Sequence, residues 1–292
     1  MRNEASSIPV LMSGMGVGFL SLLDAAMKEI THSYPLMQAV TIRYGTGAFF
    51  AALVYALFAR KMPSWEAIRR NGLRAVIVVG TALCFFTAIK RLPLVEAVAL
   101  TFLAPILMVI LARVILKESV SAAALAATLL GFCGVAVIAR GDVMAGGAGI
   151  DVIGLLAALG CAFFYALSMV LMRQQSAHDS VFTIVFLSNC MAFLIVLPGG
   201  VWNWQPVSPA HWMLALLVGL AGTCGHFCLA WAYARGHAGR LGVMEYTAFV
   251  WAMLLGYYFF AEVPSAWTFA GAGLIVTACL YATFGSARKA AG

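Results

Sequence analysis

The chain has 292 residues, 63% of them hydrophobic and 10% charged, against about 25% charged in an ordinary soluble domain. With a mean hydropathy of +0.97, this composition excludes a soluble globular protein. The formal net charge is +7, but no basic tract offers itself to a nucleic acid, and in so apolar a chain a positive balance reports membrane orientation.

A helix that crosses a hydrocarbon core of about 30 Å needs about 20 apolar residues. Apolar runs divided by charge, Pro or Gly predict ten such helices, over 8–30, 35–59, 75–90, 95–116 and 120–139, then 152–172, 181–198, 211–233, 241–260 and 265–284. They leave no room for an appended soluble domain. The first run has Arg2 and Glu4 ahead of it and continues past Asp24 to Ile30, so it reads as a retained helix and not a signal peptide. A Gly-rich stretch from Arg140 to Gly149 divides the chain, giving a first five-helix repeat over 1–139, an outer linker over 140–151 and a second repeat over 152–292. The seven cysteines all fall in apolar runs, an odd and dispersed set that makes no disulfide framework.

With the N-terminus inside, 13 of the 18 Lys and Arg residues fall on the cytoplasmic side and 5 on the outer side or in the spans. The expectation is therefore a multi-pass protein of the bacterial inner membrane with both termini cytoplasmic. Trp202, Trp204 and Trp212 in the loop 199–212 suit an aromatic belt at the outer interface. An odd number of spans in each half makes a second repeat run through the membrane in the opposite sense, a frequent transporter plan. Lys117-Glu118 closes the fourth helix as Ala261-Glu262 closes the ninth, and a slide of 144 residues lays Pro105 over Phe249 and Gly134 over Ala278.

The stretch Ala88-Ile-Lys-Arg-Leu-Pro-Leu-Val-Glu-Ala97, then Leu103-Ala-Pro-Ile106 and Lys117-Glu118, resembles the ten-helix EamA branch of the drug/metabolite transporter superfamily. Glu245-Tyr-Thr-Ala-Phe-Val-Trp251 followed by Glu262 is similar to the same pattern in the second half. Phe249 stands where that pattern has Pro, so the two central helices are not bound to bend alike. The resemblance implies a secondary carrier with its pathway between two five-helix repeats, nearest to exporters of amino acids, including aromatic ones.

Ionisable residues within spans cost about 2.5–3.5 kcal/mol each on insertion scales, so they face a cavity or a partner. Ser21, Asp24 and Lys28 share one face of the first helix, and Arg43 lies about 12 Å into the second, at a depth where Asp24 can meet it. Asp24, Lys28 and Arg43 can hold the ammonium and carboxylate of a zwitterion, or Asp24 and Arg43 can be an ion pair that ties two helices; Lys28 also has the reach to snorkel. His226 and Glu245, linked by a short basic loop, are candidates for an inner gate or for proton coupling. The plainer alternative has His226 bonded to a neighbouring carbonyl and Glu245 solvated or paired with Arg240. Pro105 removes a backbone donor mid-helix and predicts a kink that can act as a hinge. Lys90, Arg91 and Glu96 flank Pro93 as an outer gate or as charges that meet water. Tyr44, Phe85, Phe86, Tyr165, Trp231, Tyr246 and Trp251 are aromatic candidates for stacking on a substrate, and Ser168 and Asn189 are polar candidates for the same cavity. Gly14 and Gly18 have the small-xxx-small spacing of a close helix contact, assigned to packing within a monomer.

No catalytic motif, metal cluster or cofactor-binding loop is expected: Cys224 and Cys228 share a helix face that His226 does not. The expectation is an all-α integral membrane protein of ten helices in two inverted five-helix repeats. It would export small metabolites, amino acids first, by alternating access, with small-molecule cargo and the bilayer as its partners. Export of organic cations or drugs, or carriage of sugars or nucleotide sugars, is the alternative; a lipid enzyme is disfavoured because the polar residues spread through the membrane's depth.

Overall fold

The computed structural model describes residues 8–59, 62–116, 126, 129–138, 151–175, 179–233 and 244–290. It is all-α, with no strand among those residues. The helices are α1 (Ile8–Ser33), α2 (Leu36–Phe58), α3 (Trp65–Arg91), α4 (Leu94–Thr101), α5 (Ala104–Leu116), α6 (Leu129–Ile138), α7 (Val152–Gln175), α8 (Val181–Trp202), α9 (Pro209–Tyr233), α10 (Thr247–Phe260) and α11 (Ala266–Ala290). Five of them, α2, α3, α7, α8 and α9, are long and apolar enough to cross a membrane on length and composition alone. All of the predicted linker over 140–151 except Asp151, together with Lys117-Glu118, most of 120–128 and the basic loop around Arg235 and Arg240, lies outside the described residues.

Several helix starts follow directly from a side-chain cap. Ser180 Oγ accepts the Thr183 N–H, Ser208 Oγ the His211 N–H, Ser265 Oγ the Thr268 N–H, and Asp151 Oδ1 the Gly154 N–H at 2.8 Å. That Gly154 bond and the Arg91 guanidinium, 2.8 Å away, hold the Asp151 carboxyl below the usual carboxylate range. α3 starts ten residues before the predicted 75, because Ser64 caps it and a face made of Ala67, Asn71, Arg74 and Ala75 is buried. Its charges, which read as loop, are on a helix. Arg70 binds Asp179 with two hydrogen bonds, at 3.3 and 2.7 Å, and Arg74 is buried with its Nη1 donating to Ser188 Oγ at 2.7 Å.

The predicted fourth helix is two helices. Phe102 and Leu103 form a turn, and their N–H groups reach only three residues back, to Ala99 and Leu100. Pro105 follows at the second position of α5, where its missing donor does no harm, and the ladder breaks just before it. The slide of 144 residues carries Phe102 onto Tyr246, and there too a turn interrupts the helix. Phe249, in the place of Pro105, donates its N–H to the Tyr246 carbonyl at 3.1 Å. The second break therefore forms without a proline.

The chain forms two compact units, residues 1–79 with 175–255 and residues 80–174 with 256–292, so each draws on both halves of the sequence. Within the first, α1 packs on α9 and α2 on α8 and α9. Gly16 and Gly225 form the α1–α9 crossing, each offering a carbonyl 3.1 Å from where the other's Cβ would stand. Gly14 and Gly18 meet Met244 and Trp251 of the same chain at ordinary packing distance, and Gly16 makes the backbone-to-backbone approach. In the second unit α11 packs on α4 and α5, and meets α6 where a Cβ on Gly271 would lie 2.6 Å from the Gly134 carbonyl oxygen. The Gly134 carbonyl and Ile138, through its side chain and its backbone nitrogen, stand in the way there, so Gly271→Ala is expected to cost about 1–3 kcal/mol. A melting temperature in detergent equal to the parent's would refute that crossing.

Candidate functional site

In the first unit, four helices bring polar residues to Arg43. Arg43 of α2 is 6% exposed, and its Nη1 donates to Asn189 Oδ1 of α8 at 3.4 Å, its one hydrogen bond among the described residues. Asn189 is aimed by its own helix, since its Nδ2 donates to the Val185 carbonyl at 2.9 Å and leaves Oδ1 toward the guanidinium. Asp24 of α1 is half-buried and close enough to attract the Arg43 charge. Asp24 is thus an electrostatic neighbour of Arg43, and Asn189 is the hydrogen-bonding one.

Two glycines make room for this guanidinium, and nothing in the residue pattern singles them out. A Cβ on Gly47 would lie 2.6 Å from Arg43 Nη1 and from Asn189 Oδ1; one on Gly222 would lie 3.0 Å from Arg43 Cζ and Nη2. Gly222 also links the site to His226, because its carbonyl meets His226 Nδ1 at 2.6 Å. His226 follows the plainer of its two expectations, bonded to a carbonyl one turn back. Its electrostatic neighbours are Arg43 and Arg74. A residue expected in a separate inner cluster thus belongs to the Arg43 neighbourhood.

Lys28 is 4% exposed, which corrects the expectation that it snorkels. Tyr44 is buried, with its hydroxyl donating to the Val78 carbonyl at 3.1 Å and its ring 5.3 Å from the Arg43 Cζ, so it packs beside the guanidinium. Trp231, Glu245 and Tyr246 are half-buried in the same unit, and Trp251 is exposed with its indole against Gly18. The remaining candidates, Phe85, Phe86, Pro105, Tyr165 and Ser168, belong to the second unit, where Phe86 and Ser168 are buried. Of the expected outer gate, Glu96 is buried, accepting from Thr268 Oγ1 at 3.1 Å, whereas Arg91 pairs with Asp151 at the surface.

A buried cation beside a carboxylate and an amide, in an all-helical chain with two matching helix breaks, is the equipment of a solute carrier. The EamA-like transporter family matches residues 8–140 and again residues 152–284. The chain belongs to the EamA-like transporter family. Among its EamA relatives, the pseudopaline exporter CntI of Pseudomonas aeruginosa is 28% identical over 278 residues, 93% of this chain and 94% of that protein. A riboflavin transporter of Vibrio cholerae is 27% identical over 217 residues, 73% of this chain and 70% of that protein. A protein of known crystal structure superposes with a TM-score of 0.65 over 99% of both chains at 23% identity, a likeness of fold. This EamA protein is thus a multi-pass membrane transporter of a small molecule and not an enzyme. The relatives named are not aromatic amino-acid exporters, so membership does not carry the expected substrate subgroup.

Proposed function

We propose that this EamA transporter exports a small carboxylate-bearing metabolite, an amino acid or a similar zwitterion, across the bacterial inner membrane by alternating access. The observation that carries this reading is Arg43: a buried guanidinium with five N–H donors that makes a single hydrogen bond of 3.4 Å among the described residues. A desolvated cation is stable only with charged or hydrogen-bonding partners. A substrate carboxylate would complete the set, and Asp24 would receive the ammonium group. His226, tied to Gly222, and the half-buried Glu245 remain candidates for an inner gate or for proton coupling. The name of the Pseudomonas aeruginosa relative supports export as the direction, and the excess of Lys and Arg predicted on one side of the membrane supports cytoplasmic termini. The two inverted repeats, 1–139 and 152–292, would exchange their packing about the breaks near Pro105 and Tyr246.

Efflux from proteoliposomes tests this. Radiolabelled amino acids, riboflavin, an organic cation and a sugar are loaded in turn, with and without a pH gradient. Saturable efflux of amino acids is the expected result. Movement of the cation, the sugar or riboflavin alone would discard the carboxylate site and leave the carrier fold intact.

A further inference from the structure

The helix α4 is eight residues long, shorter than a helix that is stable alone. Leu94 to Leu100 are all buried, and the turn at Phe102 and Leu103 cuts it from α5. Its N-cap is Pro93, which has no side-chain acceptor to offer. The acceptor comes from 168 residues away: Glu262 Oε2 takes the Leu94 N–H at 2.7 Å.

The turn that delivers Glu262 is built for it. Ala261 ends α10 at a φ of 52°, in the left-handed region that costs an L residue about 1–2 kcal/mol. Its N–H bonds the Tyr257 carbonyl and the Glu262 N–H bonds the Gly256 carbonyl, both at 3.1 Å. Gly256 also lets the carboxylate fold back, since a Cβ there would stand 3.0 Å from Glu262 Oε2. One turn into α11, Thr268 Oγ1 donates to Glu96, the third residue of α4, and so fixes the same turn a second time.

We propose that Glu262 is a positioning residue for transport: by capping α4 from the end of α10 it sets the register of the broken α4–α5 helix. It touches no substrate in this role. The inference rests on transport as the family activity and not on which solute moves. The cap matters beyond its own turn because Pro93 gives α4 no side-chain cap of its own, and α5 begins only after a turn held by three-residue hydrogen bonds.

Amide hydrogen exchange in nanodiscs, read at 94–97 and at 104–108, tests the cap directly for Glu262→Ala, Glu262→Gln and Glu262→Asp. Glu262→Ala is expected to raise exchange in both segments about tenfold. Glu262→Gln, which keeps an acceptor oxygen at the same reach, is expected to stay within about twofold. Glu262→Asp, one methylene short, is expected to behave like the Ala variant and serves if that variant does not fold. Initial efflux of a 14C-labelled amino-acid mixture should fall in the variants that lose protection and hold in Glu262→Gln. Unchanged exchange, or exchange raised at 94–97 alone, would overturn the proposal, as would normal efflux with both segments deprotected. No efflux in the parent protein would count against the amino-acid reading and leave the exchange result to decide the role of Glu262.

Discussion

Arg43→Gln is expected to reduce efflux of a 14C-labelled amino-acid mixture by about 10- to 150-fold, the equivalent of about 1.5–3 kcal/mol for hydrogen bonds to a charged group. The side chain is 6% exposed, enclosed by α2, α8 and α9, and its neighbours Gly47 and Gly222 leave room for a planar guanidinium and little else. Arg43→Lys should fail almost as badly. An ammonium is a point charge on a flexible stem, and it cannot offer the two parallel N–H bonds that a carboxylate accepts from a guanidinium fork. Glutamine keeps the polarity and removes the charge, so a Gln variant with parental efflux would take Arg43 out of the transport path.

The second expectation separates a substrate clamp from a structural ion pair. Asp24 attracts Arg43, so Asp24→Asn leaves a buried positive charge with less compensation and should cost about 1–3 kcal/mol of stability. In the double variant Asp24→Asn/Arg43→Gln both charges are gone, and most of that loss should return, because the partners are coupled. Efflux should not return with it. Melting temperature in detergent and efflux from proteoliposomes, measured on all four proteins, give the answer. If efflux recovers together with stability in the double variant, the pair ties helices and does not bind cargo.

Much of the architecture is legible in the residues because hydropathy is a local sum. The apolar runs located α1, α2, α7, α8, α9 and α11 to within a few residues, and composition alone required a membrane protein. Charges within spans pointed to Asp24 and Arg43, since a charge in a hydrocarbon setting must find a partner wherever the fold puts it, and polarity within a span pointed to Asn189. The same reasoning misplaced the start of α3. A helix whose charged residues alternate with a buried face has the average hydropathy of a loop, and only Ser188 and Asp179, over a hundred residues away, explain why Arg74 and Arg70 lie on it.

By itself the sequence determined the class of protein, the positions of most helices and the short list of charged residues that must be satisfied inside it. Tertiary structure decided the relations between distant segments. It set the Gly16–Gly225 and Gly134–Gly271 crossings, the space that Gly47 and Gly222 leave around Arg43, the tie from Gly222 to His226, and the Glu262 cap on α4. It also broke the helix at Tyr246 where no proline announces it. The reason is physical: a glycine's missing Cβ and a remote acceptor have no signature in their own neighbourhood, because each acts only through the backbone that another part of the chain brings against it.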